Sequence, residues 1–582
     1  MNILGIGLLL FQVQLATVSG TVTKPGGNDP LSGAMVILNA AVSTQTSRIR
    51  SAISEDDGRF TILDIEPGEY RLQVQSPLYG GAAYGQRKPD GSGAILTIAA
   101  GKRLSDLKIS MVPTGTIAGR VTGRSGEPLA YATVQALKYA YQEGKRILAV
   151  AQTTITDDRG EYRLFWLSSG KYVVVAGARS GPVNPATTSP PNRPGETTRT
   201  AGDLLLTPGP LGLVQTGALL EGTNLVKRIL GDGTVREESW MPTYYPAATD
   251  RGQAAPVDVT GGSTVTGIDI TLGPSPVQKI QGRVTGFTPA GEPMVALTPG
   301  GQGTIARVIN RAVSTIDGSF EFAGVVPGRY YLAAQDRSGL VGSPIAVVVG
   351  DRDVENLSLA LAPAITLSAQ ITVEGVSPGQ LDPFTGLSGT LRPELDVAQS
   401  MVRSVFSPIN FQLKPGIVQV LSDVPPGDYQ FNINQLVLPG NVKRFYVKSI
   451  RLGREDALGS IHVSAEMMAP ILEIVLTAET GSVEGVAISR TGDPAANVTV
   501  VLVPANARKR TDLYKTLVTG SDGRFAFQEI PPADYKLFAW DDIETGAWQN
   551  DEFIRPFESK GRALRVSENG KEEVRLNVIY TP

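Results

Sequence analysis

Side chains able to do chemistry are scarce in this sequence, and that scarcity is the first constraint on function. The 582 residues include no cysteine and one histidine, His462. Disulfides, thiolate metal sites, iron–sulfur clusters, cysteine nucleophiles and a lipid anchor on cysteine are therefore excluded. A Ser/His/Asp triad would need His462, which lies in the alternating run Ser460-Ile461-His462-Val463-Ser464, and no Gly-x-Ser-x-Gly elbow occurs. His462 reads as a structural residue. No Gly-x-x-x-x-Gly-Lys-Ser/Thr phosphate loop is present either. A carboxylate pair for glycoside hydrolysis has no fixed spacing, so the sequence neither supports nor removes it.

Carboxylates and aromatics remain. Glu55-Asp56-Asp57-Gly58 and Asp157-Asp158-Arg159-Gly160 set the oxygen ligands that calcium prefers beside a tight turn. Thr315-Ile316-Asp317-Gly318 and Ser521-Asp522-Gly523 keep a single carboxylate. An aspartate bonding its own turn's backbone accounts for all four, so no metal or other cofactor is expected. Flat aromatic faces can hold a sugar ring or a protein partner. Trp540 and Trp548 flank a loop that continues to Asp551 and carries Asp541 and Asp542, while Trp240, Tyr244 and Tyr245 form a second group. These aromatics are the candidate ligand-binding residues, with packing under a long loop as the competing expectation. Trp166, which follows Phe165, is expected at a core edge.

The elements that must hold these residues are repeats. Asp57-Gly58-Arg59-Phe60 is followed by Pro67-Gly68 and Tyr70. Arg159-Gly160-Glu161-Tyr162 leads to Gly170 and Tyr172, Asp317-Gly318-Ser319-Phe320 to Pro327-Gly328 and Tyr330, and Asp522-Gly523-Arg524-Phe525 to Pro531 and Tyr535. Glycine and tyrosine stand 12 apart in all four copies, and a degraded copy ends Pro426-Gly427-Asp428-Tyr429. Asp-Gly between alternating apolar runs is a strong hairpin signal, because glycine accepts positive φ. Phe60 and Ile62 should face one side and Arg59 and Thr61 the other, as in a half-buried strand. Further strands are expected at Gly20-Thr21-Val22, Gly119-Arg120-Val121, Gly282-Arg283-Val284 and Gly485-Val486-Ala487, with closing strands such as Leu107-Lys108-Ile109. Short strands between Gly/Pro turns indicate β-sandwiches.

Five modules result: 17–113, 114–275, 276–363, 364–478 and 479–582. Each is long enough to bury a core of its own. The second holds an insertion, 181–239, whose part from Pro182 to Pro210 reads as a mobile loop and whose part from Gly217 to Leu230 reads as one short helix. Residues 3–11 form an apolar run too short for the ~20 residues of a membrane span. The run reads as the apolar part of a signal peptide cleaved after Ala16, although no Lys or Arg precedes it. The mature chain should then carry no transmembrane segment and lie in the periplasm, on the cell surface or outside the cell. Lys and Arg number 53 against 56 Asp and Glu, so no broad field exists to grip nucleic acid.

The run Gly-x-Val, Pro-Leu-x-x-Ala-x-Val, Asp-Gly-x-Phe, Pro-Gly-x-Tyr resembles the carboxypeptidase regulatory-like domain. In the second module it is carried by Gly119, Val121, Pro128-Leu129, Ala132, Val134, Gly160, Tyr162, Gly170 and Tyr172. The resemblance implies an all-β fold, a tandem array of about five transthyretin-like Greek-key β-sandwich modules, with 364–478 the most divergent. Its residues are turn and core residues, so it implies little about function. Zinc peptidase chemistry needs two histidines on the metal, and His462 stands alone. A non-catalytic exported protein is expected, binding a polysaccharide or an envelope protein. The alternative is a structural or protein-interaction scaffold without a small-molecule ligand.

Overall fold

A computed structural model describes residues 14–40, 49–86, 93–142, 144–177, 226–229, 235–249, 251–299, 309–312, 317–374, 387–394, 408–414, 416–435, 445–468 and 470–581. The expected leader falls almost wholly outside these residues, as does the Pro182–Pro210 loop. The fold is all-β: a tandem array in which one two-sheet unit recurs, and the single α-helical turn among the described residues is Asp551–Ile554.

In the first unit, strand Ala16–Thr23 lies between Arg59–Ile65, antiparallel to it, and Arg103–Ser110, parallel to it. The facing sheet runs Arg50–Ile53, Met35–Ala40, Gly68–Ser76, with Tyr79–Ala83 and Ile95–Ile98 both beside the last. The same order recurs with Gly115–Gly123, Gln278–Thr285, Ile365–Glu374 and Gly481–Ile488 as the central strand. Each of these pairs in parallel with the strand that closes its unit. Alternation decides the core: Phe60, Ile62 and Ile65 point inward while Arg59, Thr61 and Leu63 are exposed.

Two units depart from the pattern. In the third, Leu340–Gly342 pairs with Val354–Pro363, so both sheets fuse into one of eight strands. In the fourth, Tyr446–Leu452 adds a strand outside Ile471–Thr477. Within the insertion of the second unit, Val226–Ile229 is a strand paired with Val235–Trp240. The helix expected up to Leu230 is corrected there, while 217–225 lie outside the described residues.

The Asp-Gly turns are not hairpins. Arg50–Ile53 and Arg59–Ile65 flank the first but belong to opposite sheets, so the turn is an arch across the sandwich. Glycine is required because it packs on the central strand: Gly58 has φ 75°, its carbonyl accepts from Val22 N, and a Cβ there would lie 2.4 Å from Val22 O. The return arch is a Pro-Gly turn in the first, third and fourth units, Ser169-Gly170 in the second and Pro532-Ala533 in the fifth, and the tyrosine two residues further on locks it. Tyr70, Tyr172, Tyr330, Tyr429 and Tyr535 donate their hydroxyls to the carbonyls of Glu66, Ser168, Val326, Pro425 and Pro531, at 2.7–2.9 Å. The fourth, divergent unit keeps this lock.

A hydroxyl ahead of the arch glycine in the first, second and fifth units went unread in the sequence. Ser54 Oγ donates to Leu31 O at 2.7 Å and accepts from Ala34 N at 2.9 Å. Thr156 does the same with Leu129 O and Ala132 N, and Thr519 with Ala495 O and Val498 N. Each ties the arch to the loop that leaves the central strand. The signal was available as Ser or Thr four residues ahead of the glycine.

Candidate functional site

The acidic turns use their carboxylates locally. Asp57, Asp317 and Asp522 Oδ1 accept from the amides of Arg59, Ser319 and Arg524 at 3.0–3.1 Å. Asp157 takes the same role two positions earlier, accepting from Arg159 N and Glu161 N. These are the aspartate-backbone bonds that stabilise tight turns. Among the described residues, no group of three or more His, Asp or Glu side chains is placed to hold a metal ion. His462 projects outward from Ile461–Val463, with Nδ1 2.7 Å from Asp428 Oδ1 on the paired strand. It is a surface pair in solvent.

Trp540 and Trp548 are packing residues in this structure. Trp540 is wholly buried and Trp548 is 8% exposed. The outer face of the sheet formed by Thr499–Pro504 and Ala533–Trp540 carries Val501, Val503, Phe538 and Trp540, and residues 541–560 fold over it as a lid. Trp540 stacks on Phe538 at 5.0 Å and 17°, and meets the edge of Phe557 at 5.9 Å and 87°. Neither indole offers a face to a ligand. The alternating pattern of a half-buried strand is absent here: Val500 to Val503 are all buried, as sheets covered on both sides require. That unbroken apolar run was the signal for a lid.

The second aromatic group is split. Tyr244 packs, half-buried, on the outer face of its sheet against Leu137, Leu148, Val150, Val173 and Val175. Tyr245 packs against the sandwich core on the other side. The two rings lie on opposite sides of the sheet, so the pair makes no common platform. Trp240 ends a strand that pairs with Pro274–Pro276, and its side chain lies outside the described residues.

Among the described residues, Phe165 and Trp166 form an exposed aromatic pair, 44% and 39% exposed, with ring centroids 6.2 Å apart at 49°; Tyr131 and Tyr139 are exposed elsewhere in the same unit. The core-edge expectation for Trp166 is thus only half met, for a backbone reason. The strand Glu161–Leu167 carries a bulge against Gly115–Gly123, and Trp166 holds φ 58° in it. The matching bulges place Asp64, Gly324, Asp423 and Glu529 at positive φ. A bulged residue escapes the alternation that would have turned the indole inward.

Together these placements define a class: tandem β-sandwiches whose repeated residues build arches and cores. Residues 17–110 and 116–201 each match the model of the carboxypeptidase regulatory-like domain. These two stretches are similar to carboxypeptidase regulatory-like domains standing in tandem. Among curated proteins, none matches it. Among solved structures it is similar to the Streptococcal ancillary pilin, at 13% identity over 60% of this chain and 99% of that one, with a TM-score of 0.20. It is also similar to the shaft pilin SpaA from Lactobacillus rhamnosus GG, at 11% identity over 45% and 98%, TM-score 0.19. A third is BcpA, the major pilin subunit of Bacillus cereus, at 10% identity over 60% and 100%, TM-score 0.14.

Proposed function

We propose that the chain is a non-catalytic scaffold exported to the cell envelope, which sets reach and presents surfaces to a protein partner. Its modules are taken as 17–113, 114–275, 276–363, 364–478 and 479–582. One observation carries the reading: the polar groups of the recurring residues are used on the module's own backbone. The tyrosine hydroxyls lock return arches, and the aspartates bond turn amides. Export is supported by the apolar run 3–11 ahead of Ala16. No helix among the described residues is long and apolar enough to cross a membrane. Ala16 opens the first strand and pairs with Ile65, so processing after it would leave the strand starting at Thr17.

Polysaccharide binding is the second reading, favoured by the exposed Phe165–Trp166 pair rather than by Trp540 or Trp548. A pull-down on insoluble polysaccharides, with Trp166→Ala beside the unchanged chain, separates the two. Under the scaffold reading neither chain is retained, and envelope proteins co-purify with both. Retention abolished by Trp166→Ala would replace the scaffold with a carbohydrate-binding protein.

A further inference from the structure

The second unit carries a long hairpin. Its strands, Thr133–Gln142 and Lys145–Ile155, have 10 and 11 residues. Its tip, at Gly144, reaches the lid of the fifth unit. Tyr141 meets the ring of Phe553 edge to face, at 5.9 Å and 67°. Asn550 Nδ2 donates to Gly144 O at 2.9 Å, while its Oδ1 accepts from Phe553 N and caps the short Asp551–Ile554 helix. The two backbones touch: a Cβ on Gly144 would lie 2.8 Å from Gln549 O, and one on Gly546 would lie 3.0 Å from Tyr141 O. Both glycines hold positive φ, 76° and 84°.

Charged side chains of both elements act on the contact. The hairpin tip carries Lys145 and Arg146, the latter over the Tyr139 ring at 3.9 Å, and the lid carries Glu544, Asp551 and Glu552. The Tyr141 hydroxyl is pushed up by burial, opposed by Arg146 and reinforced by Glu544 and Glu552.

We infer that this hairpin and the 541–557 lid form an intrachain latch that folds the array back on itself and pins the second unit to the fifth. The acidic, aromatic loop is then the seat for a segment of its own chain. A ligand or partner at that loop would first have to displace the hairpin. The inference is separate from the scaffold reading, and either can fail alone.

The absence of cysteine makes the latch easy to trap. An ideal Cβ on Gly144 lies 3.8 Å from Gln549 Cβ, which is the separation of a relaxed disulfide. The full chain with Gly144→Cys and Gln549→Cys, mildly oxidised, should form an intramolecular disulfide once the Gln549 carbonyl shifts from the new Cβ, seen as a loss of two hydrogens in the intact mass; because that Cβ crowds Gln549 O, unreacted thiols count only beside the scattering result. In cysteine-free chains, Asn550→Asp keeps the helix cap, removes the donor and sets a carboxylate against the Gly144 carbonyl. Combined with Tyr141→Ala, it should raise the radius of gyration in X-ray scattering. Disulfides only between molecules would overturn the intrachain latch. Unreacted thiols, together with a radius of gyration unmoved by Tyr141→Ala/Asn550→Asp, would overturn it as well.

Discussion

Gly485 stands directly across the ladder from Phe525, and a Cβ on it would lie 2.7 Å from the ring and 2.1 Å from Val574 O. The central strand is therefore pinched between an aromatic and the backbone of the closing strand. Gly20 faces Phe60, Gly119 faces Tyr162 and Gly282 faces Phe320 in the same way. In the fourth unit both members change together, to Ala369 opposite Gln419. Gly485→Ala should destabilise the fifth unit by about 1–3 kcal/mol through overpacking. Calorimetric melting of the full chain, compared with an exposed-site control such as Glu484→Gln, checks this. An unchanged profile would show that the sheets part easily.

Thr519 should matter more than its size suggests. Thr519→Val keeps the shape but leaves the buried Val498 amide and Ala495 carbonyl without their partner. The expected loss is about 1–3 kcal/mol, with Ser54→Ala behaving likewise in the first unit. Hydrogen exchange reads the effect directly, as faster exchange at the Val498 and Ala34 amides. Unaltered protection there would mean that the hydroxyl is dispensable.

Alkaline pH should loosen the array. Burial raises Tyr429 and Tyr535 well above the ordinary 10.0 of tyrosine, and Tyr162 likewise with help from Asp269 and Tyr245. Tyr514 is pushed up to about 12, chiefly by burial. A group whose folded pKa is raised stays protonated in the fold while the unfolded chain ionises. Its contribution is therefore complete below about pH 10 and declines as pH climbs through the folded values. The melting temperature should hold up to about pH 10 and fall beyond it, and Tyr535→Phe should soften the fall in the fifth unit. A melting temperature indifferent to alkali would contradict the burial of these hydroxyls.

Trp166 is the bulge residue whose side chain fits its backbone least. At φ 58° it occupies a region that costs a bulky residue roughly 1–3 kcal/mol. Trp166→Gly should relieve that strain and leave the second unit as stable as before or better, by up to about 1 kcal/mol. Thermal melting decides the matter. A clear loss of stability would mean that the indole's packing outweighs the strain, and that its exposure is not reserved for a surface role.

Much of the module was legible before any coordinates. The period-two burial of Phe60, Ile62 and Ile65, the positive φ at Gly58 and the turns at Pro67-Gly68 all follow from local chemistry. The hairpin reading of Asp-Gly failed because an arch and a hairpin need the same turn residues. Only the partner of the next strand distinguishes them, and Arg59–Ile65 pairs with Ala16–Thr23, far back in the chain. Trp540 and Trp548 were ambiguous for a similar reason. An aromatic beside an acidic loop looks the same in sequence whether the loop stands open or folds over the sheet.

By itself the sequence determined the repeat, the β class, the inward face of each strand and the lack of thiol and paired-histidine chemistry. Each of these depends on residue type and on spacing within a dozen residues. Tertiary structure alone decided which sheet each strand joins, that residues 541–560 close over Trp540, and that Asn550 reaches Gly144 across 406 positions of chain. Those are choices among long-range pairings whose local signals are alike, and they are settled by which surfaces bury against one another.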